Sequence, residues 1–343
     1  MRASADLPAD LRAIPRSAGD ARAHVLEPGM WVLRLPLPYQ APSSVNAYLL
    51  ALDDGYALVD CGTSLDPAWE ALVQGLAHAG AAPADIRLLI CTHLHADHAG
   101  LAATVAARTG CEVVRGLGPD TVDDVLRDPV TPLERRRASG VRAGVPHEEV
   151  DRWVDTHLAD DVWHERVRPD RLLVGEDVVR TAVGAWRVVP ARGHSPSQIG
   201  LFDPERRRLL CADLAYPIDE PFLEYGWTLD PYAEHLASLD RALALHPALL
   251  LPGHGRPVED AAERLLDARR RALGLRDRIA AALGDGPRSA FEVVRALLGD
   301  DPGTNRGQSL LSIALCVLEH LEREGAAAVT DGDDGVRRFR AAA

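Results

Sequence analysis

The stretch Thr92-His93-Leu94-His95-Ala96-Asp97-His98-Ala99-Gly100 sets three imidazoles and one carboxylate within six residues, directly after the apolar run Leu88, Leu89, Ile90, Cys91. That run reads as a buried strand, and Leu101 to Arg108, beyond Gly100, reads as a helix. Folding alone gives no reason to crowd four ligating side chains into the turn between them. A strand that delivers His, His, Asp and His into one loop sets metal ligands at the carboxyl edge of a sheet. Zinc takes neutral imidazole and carboxylate at such short spacing, and a pair of ions can share a bridging water. A merely solvated polar loop would not call for this crowding.

The run matches the pattern His-x-His-x-Asp-His and so resembles the metallo-beta-lactamase superfamily. The resemblance implies an α/β fold, a four-layered αβ/βα sandwich with helices outside two facing sheets and one or two metals at the sheet edge. Further stations of the same pattern follow in order. Trp186 to Pro190 reads as a strand leading to Gly193-His194-Ser195-Pro196, similar to the family's Gly-His-Thr-Pro stretch with Ser for Thr. Leu209 to Cys211 leads to Asp213, and Leu249 to Leu251 leads to Pro252-Gly253-His254-Gly255. Carried over position by position, the resemblance gives His93, His95 and His194 to a first metal, Asp97, His98 and His254 to a second, and Asp213 to both. Asp60, in Asp60-Cys61-Gly62 at the end of an earlier strand, would support the metal loop from beneath. Thr92 and Ser195 join it as supporting side chains, Ser195 supplying the hydroxyl hydrogen bond of the family's Thr.

The chain of 343 residues has room for a core domain of this kind plus a smaller one, and 47% hydrophobic content is enough for a packed interior. Residues 1–25 are a polar lead-in, 26–262 the catalytic domain, and 263–343 a C-terminal domain. Strand-like runs at Met30–Leu37, Val45–Leu52 and Tyr56–Val59, a helix over Pro67–Gly80, and the strands Ile86–Cys91 and Cys111–Val114 make an alternating α/β order. Residues 117–168 break that order with charged, helix-like stretches around Glu134–Ala143 and His147–Leu158, and the resemblance suggests a helical cap over the site. His147, His157 and His164 have no close ligating companion and read as surface or helix-packing residues. At the far end, helix-like Glu259–Leu283, Ala290–Leu298 and Gln308–Glu324 precede two short strands about Asp331-Gly332-Asp333-Asp334-Gly335. That order makes a winged-helix module and resembles the beta-lactamase-like-protein-2 group within the superfamily.

No apolar run reaches the ~18 residues that a bilayer span needs, and Met1 to Asp20 lacks an apolar segment of signal-peptide type. No membrane and a cytoplasmic location are therefore expected. Cys61, Cys91, Cys111, Cys211 and Cys316 stand singly in apolar stretches, as buried free thiols do. The formal net charge is −13, and every fixed cation is Arg. Such a chain repels polyanions at long range unless a local basic patch overrides the field.

Two divalent ions, zinc first with manganese or iron also accepted by His and Asp, would supply nucleophile and Lewis acid together. The expected function is metal-dependent hydrolysis of a small or carrier-bound ester, thioester or lactone, with Asp97 and Asp213 catalytic. Tyr216, three residues after Asp213, stands at the offset where the resembling N-acyl homoserine lactonases carry a substrate-contacting Tyr. Single-strand-specific endoribonuclease activity is the alternative within the resembling group, and a non-catalytic binding module is the alternative outside enzymes. The wing is acidic where a nucleic-acid wing would be basic, and the apolar positions Leu310, Leu311, Ile313, Leu315, Val317, Leu318 and Leu321 favour a mostly buried third helix. A module of that kind serves packing or homodimerisation rather than nucleic-acid binding. A redox reading needs iron and a flavin domain, and no flavodoxin-like segment follows.

Overall fold

The computed structural model describes residues 22–38, 42–65, 67–119, 130–152, 167–215, 221–299 and 305–342, the side chains of 130–133 and 305–306 excepted. The first half of the chain builds a sheet of seven strands in sequential order. These are β1 (Arg22–Glu27), β2 (Met30–Pro36), β3 (Ser44–Leu52), β4 (Gly55–Val59), β5 (Ile86–Cys91), β6 (Glu112–Gly116) and β7 (Arg171–Leu173). β1 to β4 are antiparallel neighbours, whereas β4 to β7 run parallel. Parallel neighbours need crossovers. The helix α1 (Ala68–His78) links β4 to β5, and α2 (Ala96–Ala99) with α3 (Ala102–Thr109) links β5 to β6. α4 (Val130–Arg142) falls between β6 and β7.

A second sheet has the order β12-β11-β10-β9-β8. Its strands are β8 (Val178–Thr181), β9 (Gly184–Pro190), β10 (Ile199–Asp203), β11 (Arg208–Ala212) and β12 (Leu249–Pro252). β11 and β12 are parallel, and α5 (Pro231–Ala244) lies between them in sequence.

Alternation along the strands makes the layers. Val32, Tyr48, Leu50, Val59, Ile90 and Val114 of the first sheet meet Trp186, Val188, Leu201, Leu210 and Leu251 of the second in one buried cluster. Their neighbours Leu33, Leu35, Leu49, Leu58 and Leu89 face the other way, onto Leu72 and Leu76 of α1 and Val105 of α3. On the far side Phe202, Leu209, Cys211 and Leu250 pack on Leu239 and Ala242 of α5 and on Leu265. The result is helix, sheet, sheet, helix, as expected. Each fully buried Leu or Val contributes roughly 1.5–3 kcal/mol, so a one-residue slip that turned either set outward is strongly disfavoured.

Leu265 lies on α6 (Ala261–Ala281), which continues into the C-terminal module of β13 (Arg288–Ser289), α7 (Ala290–Leu298), α8 (Asn305–Arg323), β14 (Ala327–Asp331) and β15 (Arg337–Ala341). The module's three strands order as β13-β15-β14. Leu310, Leu311, Ile313, Leu315, Val317, Leu318 and Leu321 are all buried. They pack with Leu275 and Ile279 of α6, and also with Ala143, Val145, Leu223 and Tyr232. The module therefore shares a core with the stretch after α4 and with the residues around α5.

All five cysteines are buried free thiols, and among the described residues no helix is long and apolar enough to cross a membrane. Four of the elements named above were absent from the sequence expectation. β1 alternates weakly at the sheet edge, α2 is a single turn inside the histidine-bearing loop, β13 has only two residues, and the apolar stripe of α5 is diluted by Ala and His.

Candidate metal centre

The site lies where strands end. Asp60 follows β4, Thr92 and His93 follow β5, Asp213 follows β11, and His254 follows β12 after the single intervening residue Gly253. His194 stands in the turn between β9 and β10. Ligands gather at the carboxyl ends of strands in open α/β sheets because there the chain leaves the sheet and side chains can converge. Two of these exits are strained. Asp60 and Ala212 have φ of 60° and 46°, left-handed values that cost a non-glycine residue on the order of 1–3 kcal/mol. Both bends swing a carboxylate, that of Asp60 or of Asp213, toward the histidines.

Donor atoms fall into three groups, each within 4.8 Å: His93, His95 and His194; Asp97, His98 and His254; and His93, His98 and Asp213. In the first, His95 Nδ1 lies 3.1 Å from His93 Nε2 and 2.9 Å from His194 Nε2. In the second, His254 Nε2 lies 3.3 Å from His98 Nε2 and 3.2 Å from Asp97 Oδ2. Asp213 stands between them, its Oδ2 3.5 Å from His194 Nε2 and 3.3 Å from His254 Nε2, its Oδ1 3.4 Å from His98 Nε2.

Each of the five imidazoles is held by its other nitrogen. His93 Nδ1 is 3.1 Å from the Thr92 hydroxyl, which itself donates to Asp60 Oδ2 at 2.8 Å. His98 Nδ1 donates to Asp60 Oδ2 at 2.7 Å, and the Thr92 amide donates to Asp60 Oδ1 at 2.8 Å. His194 Nδ1 donates to the Phe222 carbonyl at 3.1 Å and His254 Nδ1 to the Ser44 carbonyl at 2.7 Å. His95 Nε2 lies 3.4 Å from Glu224 Oε2. A carbonyl or carboxylate partner takes the ring's proton, so the nitrogen aimed at the centre keeps its lone pair.

This donor set fits cations. Ring nitrogens facing one another at 2.9–3.3 Å need a positive charge between them, that of a metal ion or else of a proton. Asp213 Oδ1 is buried with no hydrogen-bond donor among the described residues. The approach is close enough that a Cβ at Gly253 would sit 2.2 Å from Asp213 Oδ1 and 2.6 Å from the His98 ring. Glycine is required there to seat the carboxylate and ring against the backbone.

The electrostatics differ across the site. Burial, then the neighbouring rings, lowers His93 well below its ordinary value and His194 to about 3. Burial also works against charge on His98 and His254, but there the carboxylates win. Asp213, Asp97 and Asp60 raise His98 well above its ordinary value, and Asp213 and Asp97 push His254 up to about 10. Correspondingly, burial favours the protonated forms of Asp97 and Asp213, yet His98 and His254 outweigh it and both carboxyls are lowered.

Of the sequence-derived set, His93, His95, Asp97, His98, His194, Asp213 and His254 come together, with Asp60 and Thr92 beneath them. Ser195 differs. Its hydroxyl is buried with no hydrogen-bond partner among the described residues, and its carbonyl accepts from the Gln198 amide at 3.3 Å. Tyr216, His157 and His164 lie outside the described residues, and His147 is exposed on the surface.

The sequence reading missed Phe222 and Glu224. Burial raises the Glu224 carboxyl, but contact with His95 and the charge of Arg136 on α4 bring it down to about 2. The adjacent Arg135 lies over the Trp227 ring at 5.1 Å, so α4 covers this loop. A lone acid inside the apolar run Pro221-Phe222-Leu223-Glu224-Tyr225 was the available signal.

A family model described as the metallo-beta-lactamase superfamily matches residues 41–121 and 136–254. The probable metallo-hydrolase YqjP of Bacillus subtilis (strain 168) is 26% identical over 280 residues, 77% of this chain and 83% of that protein. Among solved structures, a metallo-beta-lactamase family protein from Thermus thermophilus superposes with a TM-score of 0.78 at 25% identity, covering 92% of this chain and 100% of that one. A beta-lactamase domain protein from Burkholderia ambifaria gives 0.76 at 25% identity, covering 98% and 97%. Both structures extend over the C-terminal module as well as the sandwich.

Proposed function

Since the chain belongs to the metallo-beta-lactamase superfamily, a family of metal-dependent hydrolases, we propose that its convergent side chains hold two divalent cations and hydrolyse a small or carrier-bound ester, thioester or lactone. The observation that carries this reading is the two-sided donor set, with Asp213 within 3.5 Å of histidines on both sides. Bound there, two such ions would polarise the substrate's oxygen and lower the pKa of a water toward ~7. Zinc suits the imidazole-rich side best, and the carboxylate-rich side also accepts manganese or iron.

The residues divide the remaining work. His93, His95 and His194 would hold a first ion and Asp97, His98 and His254 a second, with the Asp213 carboxylate available to both. Asp97 retains 19% side-chain exposure against 8% for Asp213. We assign Asp97 the proton transfer, its carboxylate taking the proton of the attacking water and handing it to the leaving group. Tyr216, close in sequence to Asp213, is a proposed contact for the substrate carbonyl.

Charge supports an acyl rather than a polynucleotide substrate. The chain is strongly acidic, and we read the C-terminal module as a winged helix used for packing or for a homodimer. Two of the arginines on its hairpin are paired within the module: Arg337 with Glu319 and Glu322, and Arg338 with Asp334. Paired arginines offer little to phosphates.

Metal analysis followed by assays on thioester, lactone and phosphodiester panels tests the proposal. About two ions per chain and acyl cleavage lost to chelator and restored by zinc or manganese are expected. Cleavage of single-stranded RNA alone would replace the acyl reading with the nuclease, and absence of any bound metal would leave only a binding module.

A further inference from the structure

Ser312 is a polar position on the apolar face of α8, between Leu311 and Ile313. A mid-helix serine commonly bonds back to its own helix. Here the hydroxyl leaves the helix, donating to the Leu223 carbonyl at 2.6 Å and accepting from the Tyr225 amide at 3.1 Å. The two bonds fall on either side of Glu224, so the backbone that carries this side chain is fixed at both flanking residues.

Farther along α8, Glu319 accepts the Tyr225 hydroxyl at 2.5 Å and is itself held by Arg337 at 2.8 Å and Arg323 at 3.2 Å. One residue on, His320 Nδ1 contacts Asp230 Oδ2 at 2.9 Å, and Asp230 caps α5 by accepting from the Ala233 amide at 2.9 Å. Segment 223–230 is thus fastened to the C-terminal helix over about 12 Å of helix length. Its other edge touches the metal centre twice, through the Phe222 carbonyl on His194 and the Glu224 carboxylate on His95. Both of those histidines belong to the same donor group. The opposite group is anchored by Asp60 and the Ser44 carbonyl, inside the first sheet.

We propose that the C-terminal module is part of the metal-site scaffold: Ser312 fixes the backbone around Glu224, and Glu224 orients His95, so the module acts on the first metal position and not on the second. The inference rests on the metal-centre reading above and adds a one-sidedness to it. Glu224 and Ser312 are positioning residues. An imidazole held by a carboxylate keeps its ring direction and gains basicity, and loss of such a partner typically weakens metal binding about 10- to 100-fold.

The test is cobalt titration of the full-length metal-free protein, followed by visible absorbance and by competition with a chromophoric chelator. The step abolished in His194→Ala identifies the first position. Glu224→Ala is expected to weaken that step about 10- to 100-fold and alter its absorbance. Ser312→Ala removes both of these neutral hydrogen bonds and is expected to weaken it roughly 3- to 10-fold, acting only through the backbone at Glu224, and Ser312→Thr, which keeps the hydroxyl, to restore it. Ser289→Ala removes the cap of α7, where Ser289 Oγ accepts from the Glu292 amide at 3.2 Å. It should lower the melting temperature and leave both cobalt steps alone.

Wild-type steps in Ser312→Ala, or an equal shift in Ser289→Ala, would overturn the role given to the module. An equal shift of both cobalt steps in Ser312→Ala would also overturn it. Failure of the wild-type protein to take up cobalt would remove the metal-centre reading itself, and this is seen before any variant is compared.

Discussion

The two halves of the centre are built from the same imidazoles and set to different charge. Around His93 and His194 burial and neighbouring rings disfavour protonation, so that half presents neutral nitrogens. Around His98 and His254 the carboxylates of Asp97, Asp213 and Asp60 reverse the direction, and the half concentrates negative charge. The anchors differ too. The carboxylate-rich half is tied to β4 and to Ser44 at the start of β3, in the middle of the first sheet, whereas the imidazole-rich half leans on a loop held by the C-terminal helix. Equal ligand counts therefore do not make equal sites. One half has its geometry set by residues at the strands of the first sheet, and the other in large part by a loop fastened to the C-terminal helix.

Asp213→Ala should break the comparison outright, because among the described residues that carboxylate is the one within 3.5 Å of histidines in both halves. Loss of a bridging charge worth several kcal/mol predicts a fall in kcat of about 10³-fold or more, read on whichever acyl substrate the panel identifies. Gly253→Ala should come next. Its Cβ would lie 2.2 Å from Asp213 Oδ1, and displacing that carboxylate by about an ångström predicts a loss on the order of 10²-fold with little change in the melting temperature.

Asp60→Asn sharpens the comparison rather than breaking it. Asp60 holds His98 directly and His93 only through Thr92. The second metal position should weaken about 10- to 100-fold and the first much less, in the same cobalt titration. Equal weakening of both would mean that the halves are not independently supported.

Most of the candidate ligand set was legible in the sequence because the family resemblance matches residues that follow apolar strands within a few positions. His93 follows Leu88 to Cys91, Asp213 follows Leu209 to Cys211, and His254 follows Leu249 to Leu251. Strand, exit and ligand are local, so order along the chain carries the geometry. Glu224 belongs to no strand, and its position depends on Ser312 in a helix that forms much later in the chain. No periodicity encodes such a contact. The Ser195 hydroxyl illustrates the opposite failure. A motif preserved the residue's chemistry, while the turn's packing left its oxygen without a partner among the described residues. The C-terminal helix was legible as buried, because its apolar positions recur at helical spacing, but not what it was buried against.

The smallest effect is expected beneath the imidazole-rich half. His235 on α5 is 1% exposed, and neither ring nitrogen has a hydrogen-bond partner among the described residues. It packs against Gly193, whose φ of 117° and approach of 2.5 Å between a built Cβ and that of His235 leave room for no side chain. Burial pushes the His235 pKa down to about 4, below the ~6.5 of an unfolded histidine. The unfolded chain therefore binds the proton more readily. The stability tied to this neutral ring is fully present above pH ~6.5 and is lost as pH falls toward the folded value. Between pH 7 and pH 5 the loss is about 2 kcal/mol. His235→Leu removes both the titration and two unpartnered nitrogens, so it should be close to neutral at pH 7 and flatter toward acid. Urea midpoints of the two metal-free proteins at pH 7 and pH 5 measure the difference. The same acid slope in both would assign the sensitivity to His93 and His194, which burial also lowers, because the carboxylates of the other half lose their contribution only at lower pH. A flatter slope in the variant would assign it to the packing under His194.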